Sequence, residues 1–307
     1  MKKLLITSLL ALAACSNTHM QGDGSTNNSS DATANEAIIG GSPVSAQDDI
    51  SKITVQIFSF IASHDSSGQA KISGVAGCTG TILANDVILT AAHCTVENPN
   101  YIILYFSKDT PDLKELVQSI NTNPLVRRVV GGMTSPYWPK LQDNQPSNWG
   151  DIALLKFAGG LPDGYHTAQL ASESDQLQAK EPVTLAGWGY TDGVKQTQTT
   201  TLRKVTVDIL DPNYSETEMM IDSGNGKGPC HGDSGGPAYV SEGSRLVVAG
   251  LTSRADSKTD PKGQCIGDTV YTKVQPYLSW IASTVKKLES PKYKATTIKQ
   301  PQGAGDN

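Results

Sequence analysis

From about residue 50 to residue 290 the chain is a succession of short runs of β-branched and aliphatic residues. "ITVQIFSF", "YIILYF", "DIALLKF", "PVTLAGWG", "KVTVDIL" and "RLVVAGL" each have strand length, and clusters of turn-forming residues separate them. Runs of this size and spacing predict an all-β sandwich or barrel and argue against alternating βα units. One segment departs from the pattern. In "QPYLSWIASTVKKL", Leu278, Ile281, Val285 and Leu288 recur at helical spacing, which predicts a helix docked on the core near the end of the chain. No internal repeat is visible, and no Gly-rich phosphate loop precedes a helix. At 307 residues, with 37% hydrophobic and 18% charged residues, the chain has the composition of a soluble globular protein of one large or two ordinary domains. A net charge of -5 gives nucleic acid no footing as a partner.

The two ends have a different character. "MKKLLITSLLALAAC" reads as an export signal: Lys2 and Lys3 precede an apolar core from Leu4 to Leu12 that is too brief to span a bilayer. Leu12-Ala13-Ala14-Cys15 resembles the lipobox of bacterial lipoprotein signals, which implies cleavage before Cys15 and lipid on its thiol. The alternative is ordinary signal-peptidase cleavage after Ala13, which leaves a free Cys15. Ser16 to Glu36 is polar and cannot bury enough surface to offset its ordering entropy. The expected organisation is a signal peptide over 1–14, a lipid-anchored flexible tether over 15–37, an ordered domain over 38–288 and a loose tail over 289–307. Ser16, where an inner-membrane lipoprotein would carry Asp, favours an outer-membrane anchor. An exported protein meets oxidising conditions, so its cysteines are expected to pair. With Cys15 lipidated, Cys78, Cys94, Cys230 and Cys265 remain, and they allow three pairings.

The strongest chemical signal is "GDSGGP", Gly232 to Pro237. A nucleophilic serine must project from a tight turn while neighbouring N–H groups face the developing oxyanion, and glycines permit the backbone shapes this needs. Such a serine requires a general base. Of the five histidines, His93 in "LTAAHC" follows small residues that let an imidazole face a cleft. A third group must hold the imidazole tautomer, and Asp151 heads the buried run "DIALLKF", where an acid needs a partner.

"TAAHC", "DIALLKF" and "GDSGGP", in the order His, Asp, Ser, resemble the trypsin/chymotrypsin-like serine proteases from Ile38 to about Leu288. The resemblance implies two six-stranded antiparallel β-barrels with a C-terminal helix, and an active site between the barrels. It further implies an endopeptidase acting on proteins or peptides through an acyl-enzyme. A monomer without cofactor is expected, and neither a metal-ligand cluster nor the calcium loop of some relatives is legible in the sequence. By that match Ser234 is the nucleophile, His93 the base and then acid, Asp151 the orienting group, and the N–H groups of Gly232 and Ser234 the oxyanion hole. The family pattern also pairs Cys78 with Cys94 and Cys230 with Cys265. "AGWG", with Gly187, Trp188 and Gly189, is a further landmark.

"NEAIIGG" then acquires a meaning. Family zymogens are cut before such a sequence, so cleavage at Ala37–Ile38 would free an α-ammonium to pair with Asp233. The small Ala37 would suit self-activation, and the cut would release the domain from its tether into the periplasm or medium. The base of the specificity pocket matches Gly228, not an Asp, so cleavage after basic residues is not expected. Ser253, Arg254 and Ala255 match the strand along which substrate pairs, and Thr269 matches a pocket wall. A Thr there predicts an elastase-like preference for small or medium aliphatic side chains, although a shift of one residue would put Asp268 in the pocket instead. Asp222 stands where relatives carry a Cys, and the stretch between His93 and Asp151 is longer than usual. His231, beside the oxyanion turn, would touch substrate or be a spectator. The other functional class weighed is a catalytically silent binding or adhesion module built on the same fold, which Ser234→Ala distinguishes from an enzyme.

Overall fold

The computed structural model describes residues 38–64, 70–96, 98, 101–138, 147–294 and 298–299. The expected signal peptide, Cys15, the tether and Ala37 lie outside the described residues. Two closed six-stranded antiparallel β-barrels make up the domain, followed by a short C-terminal helix. The first barrel contains β1 (Thr54–His64), β2 (Ala70–Ala84), β3 (Val87–Thr90), β4 (Ile102–Tyr105), β5 (Val126–Thr134) and β6 (Ala153–Phe157). Its strands pair in the order β1-β2-β3-β6-β5-β4, and β4 returns to β1. The second barrel contains β7 (Pro182–Gly187), β8 (Arg203–Asp211), β9 (Glu218–Ile221), β10 (Pro237–Glu242), β11 (Arg245–Ala255) and β12 (Thr269–Lys273). Its ring runs β7-β8-β9-β12-β11-β10 and back to β7, the same connectivity as the first. This duplication is carried by topology and leaves no visible repeat in the residues.

Burial explains both kinds of apolar run. In β8, Val205, Val207 and Ile209 are buried while Thr206 and Asp208 are exposed, the alternation of a strand with one wet face. All of β3 is buried, because it forms part of the seam between the barrels. Ile88 points into the first barrel's core, whereas Val87 and Leu89 join the core of the second. In the neighbouring β6, Leu155 and Phe157 fill the first barrel and Leu154 joins the second. These two seam strands are also the ones flanking His93 and Asp151.

The chain ends with a turn at Gln275–Tyr277 and the helix Leu278–Glu289, which buries Ile281, Thr284 and Leu288 and packs near β6. Beyond it, Ile298–Lys299 pairs in parallel with Gly132–Met133 of β5. Ile298 is 1% exposed within the first barrel's core, so these two residues are not part of a loose tail. Among the described residues no helix is long and apolar enough to cross a membrane.

Candidate active site

His93 sits on a single 3-10 turn, Ala92–Cys94, just after β3. Ala91 and Ala92 are fully buried beneath it, and the disulfide from Cys94 to Cys78 on β2 anchors the turn. The His93 side chain remains 32% exposed at the lip of the seam. Strand register then selects its neighbour. β3 pairs antiparallel with β6 up to Thr90↔Ala153, so the residues just after β3 lie beside those just before β6, and the His93 N–H reaches Asp151. Gly150, at φ 65°, makes the tight approach to that position, and a side chain there would collide with Tyr137.

Asp151 is 1% exposed, yet its carboxylate is fully engaged. Oδ1 accepts the His93 backbone N–H at 2.9 Å, and Oδ2 accepts His93 Nδ1 at 2.7 Å and the Ser253 hydroxyl at 2.7 Å. Burial alone pushes this carboxyl up, but the adjacent His93 and these hydrogen bonds outweigh it and hold the group below its ordinary range. For His93 burial works downward, and the Asp151 charge and hydrogen bond prevail to raise it above 6.5. With Nδ1 bonded to a carboxylate, the neutral imidazole keeps its lone pair on Nε2. Ser253 was expected along the substrate strand; its side chain turns out to be a direct partner of Asp151.

The Ser234 turn precedes β10 in the second barrel and packs directly on the first. Thr79 of β2 donates its N–H to the Ser234 carbonyl at 2.9 Å and its hydroxyl to the Gly232 carbonyl at 3.0 Å. The Cys94 sulfur lies 3.4 Å from the Ser234 carbonyl oxygen, and being in a disulfide it packs there without a proton to give. Gly235, at φ 74°, lies against Thr90 and Ala91, where a side chain would collide with the Thr90 hydroxyl. These contacts bring Ser234 to the foot of the His93 turn.

One backbone donor in this turn is aimed by a neighbouring bond. Tyr190 N–H donates to the His231 carbonyl at 2.9 Å. In a planar trans peptide the carbonyl and the following N–H point opposite ways, so the Gly232 N–H faces away from Tyr190. Among the described residues neither the Gly232 N–H nor the Ser234 N–H has a protein acceptor. Adjacent unclaimed donors of this kind can receive a developing negative charge. His231 itself is exposed and bonds through Nε2 to the Gly263 carbonyl at 2.7 Å.

Asp233, between them, points inward and is 1% exposed. Its oxygens accept the Gly189 N–H at 2.7 Å and the Cys230 N–H at 2.8 Å. Side chains on Gly187 or Gly189 would each come within 2.2 Å of this carboxylate, which explains why "AGWG" needs both glycines. Among the described residues no cation pairs with Asp233, and burial pushes its carboxyl up to about 7 against the two N–H bonds. Ile38 is fully buried, and Ile39 bridges to Gly228 in the second barrel.

The predicted pocket residues converge. A side chain on Gly228 would strike Ser223 Cβ at 2.3 Å. The Ser223 hydroxyl bonds to the Gly267 carbonyl and to Thr269 Oγ1, each at 2.9 Å. Thr269 in turn pairs with Ala255 across β11 and β12. Ser223 was not singled out in the sequence, since nothing in "IDSGNGKG" marks it. Asp268 precedes the strand that begins at Thr269, and one of its carboxylate oxygens lies beside Gly224, the residue after Ser223. The Cys230–Cys265 disulfide closes the loop beside this region. Cys78, His93 and Cys94 bring ligand-type atoms together, but both sulfurs are already bonded to each other.

Two barrels of like connectivity, with an Asp–His couple and a glycine-flanked serine turn at their seam, are the architecture of the chymotrypsin-like serine-protease class. The trypsin family model matches residues 57–281, and the chain belongs to that family. It is 30% identical over 224 residues to trypsin Blo t 3 of Blomia tropicalis, covering 66% of this chain and 75% of that one. Chymotrypsin-like elastase family member 1 of Canis lupus familiaris is 27% identical, over 68% of this chain and 81% of its own. Proproteinase E of Bos taurus is also 27% identical, over 68% and 83% respectively.

Proposed function

We propose that this protein is a serine endopeptidase that hydrolyses peptide bonds through an acyl-enzyme on Ser234. The observation that carries the reading is the Asp151–His93 couple set beside a serine turn with two unclaimed N–H groups. His93 Nε2 takes the Ser234 proton as Oγ bonds to the substrate carbonyl carbon. The oxyanion rests on the N–H groups of Gly232 and Ser234. The C–N bond then breaks, and His93 passes the proton to the leaving amine. Water repeats the sequence and releases the acid. Replacing Ser234 by Ala is expected to cut peptidase turnover about a millionfold while leaving folding intact. Equal turnover in the two proteins would overturn the assignment.

The pocket reading rests on an uncharged base. Gly228, Ser223 and Thr269 present no carboxylate, and the Ser223–Thr269 hydroxyl pair closes the floor. Small to medium aliphatic side chains before the scissile bond fit such a pocket. Thr269→Gly is expected to move the preference towards larger side chains by about tenfold in relative kcat/KM, since one or two methylene equivalents are worth roughly 1–3 kcal/mol. A panel of peptides differing only at that position reads the change, and an unaltered ranking would remove Thr269 from the pocket.

The same reading makes the chain a zymogen cut at Ala37–Ile38: among the described residues Asp233 is buried without a cation, and the freed Ile38 α-ammonium would supply one. With lipid on Cys15 the precursor is held at the outer membrane. Cleavage releases it, since the other four cysteines are paired with one another and none can hold the propeptide. Ala37 suits the enzyme's own pocket, so copies of the enzyme activate one another. Mass and N-terminal sequence of membrane and soluble fractions from the host test this scheme. A soluble form starting at Ile38 beside a lipidated form starting at Cys15 is expected, and a membrane form that is active yet never cut would sink it.

A further inference from the structure

Glu218, at the head of β9, is a fully buried carboxylate to which the chemistry above gives no task. It accepts Arg254 through both guanidinium nitrogens, at 2.8 and 3.1 Å, and the Trp149 backbone N–H at 3.2 Å. The Arg254 guanidinium lies 4.0 Å over the Trp149 ring. These partners are placed tellingly. Trp149 is two residues before Asp151, and Arg254 is the residue after Ser253, whose hydroxyl binds Asp151. One carboxylate therefore grips both chain segments that hold the Asp151 side chain.

The segment before Asp151 needs such a grip. Residues 147–150 form no strand, and both Asn148 and Gly150 have positive φ, at 61° and 65°. The Trp149 ring packs on the buried group of Ala92, Trp138 and Ala153, beside the His93 turn. A buried ion pair stabilises a fold little, because desolvating two charges offsets their attraction. What a bidentate pair does supply is fixed geometry. We propose that Glu218 is a positioning residue: through Arg254 and Trp149 it holds the loop of Asp151 and the strand of Ser253 in the register that keeps the Asp151 carboxylate on His93 Nδ1. This inference rests on the serine-endopeptidase reading.

The test uses the activated protein, produced from the full-length chain, and a substrate with one acylated residue, such as an acyl-alanine ester. Such a substrate has no upstream residue for Arg254 to contact, so a subsite role would not register. In Glu218→Leu/Arg254→Leu an apolar pair of similar volume replaces the ion pair and leaves no lone buried charge. Arg254→Lys, which keeps a cation on Glu218 without the planar fork, serves where the double variant does not fold. The expected result is a fall of about tenfold or more in kcat with KM little changed, smaller in the lysine variant. The acid limb of the pH profile should also move down, because Asp151 is what raises His93. Folded variants with wild-type kcat and an unmoved acid limb would overturn the positioning role alone. An activated wild type that neither turns over substrate nor labels with a fluorophosphonate would overturn the endopeptidase reading and this inference with it.

Discussion

At the scale of single residues, the site depends on an acid kept ionised where water does not reach. Asp151 manages this because its oxygens accept from His93 N, His93 Nδ1 and Ser253, and because the imidazole beside it can carry the compensating charge. Asp151→Asn keeps the shape and removes that charge. Its amide can offer an N–H to His93 Nδ1, which puts the remaining ring proton on Nε2 and leaves no base towards Ser234. The expected loss in kcat is about ten-thousandfold, the magnitude for triad enzymes in general, with inhibitor binding preserved. In the wild type the sign of the pH effect follows from His93. Its pKa is raised, so the neutral base is lost as pH falls through a value above 6.5, and the acid limb of kcat/KM should lie above that point. A wild-type limb below 6.5 would contradict the Asp151–His93 coupling.

At the scale of elements, the sequence was most legible where pattern is local. The runs in "DIALLKF" and "KVTVDIL" became β6 and β8, and the helical spacing of Leu278 to Leu288 became the C-terminal helix. His93, Asp151 and Ser234 could be nominated because each sits in a compact motif. Less legible were elements whose role is set by a distant partner. β9, only four residues long, forms between β8 and β12 and carries Glu218. The helix Leu113–Ser119, capped where Asp112 Oδ1 accepts the Glu115 N–H at 2.9 Å, was missed although Leu113, Leu116, Val117 and Ile120 recur at helical spacing, because the run is only about two turns long. Ser223 reaches Gly267 and Thr269 only because strands far apart in sequence pair correctly. The strand at Ile298 is the sharpest case, since its surroundings in sequence are polar. Removing residues 295–307 uncovers that side chain's site on the first barrel. The expected cost is about 1.5–3 kcal/mol for one buried isoleucine, read as a lower urea midpoint. An unchanged midpoint would show that Ile298 contributes nothing to stability.

At the scale of the whole molecule, the proposed activation switch centres on one buried acid in the serine turn, Asp233. Asp233 in the uncut chain has a folded pKa of about 7 caused by burial, against roughly 3.9 for an unfolded aspartate. Between those values the folded form binds a proton that the unfolded form does not. Stability therefore falls as pH rises from about 4 to 7, by up to about 4 kcal/mol at 1.36 kcal/mol per unit. Above pH 7 this contribution is fully lost. In the proposed scheme, cleavage at Ala37–Ile38 would change the sign of the environment: an ammonium at Ile38 would pair with the carboxylate, bring its pKa back down and flatten the slope. Ser234→Ala protein, unable to process itself, allows both forms to be compared after cutting one with an added protease. Urea midpoints at pH 5 and pH 7.5 should drop in the uncut form and stay level in the cut form across the same interval. Because Asp233 also receives the Gly189 and Cys230 N–H groups, the loss should appear first as faster hydrogen exchange at those two amides. Identical pH slopes in the two forms would mean that the new chain end does not reach Asp233, and the switch would then have to lie outside this pair.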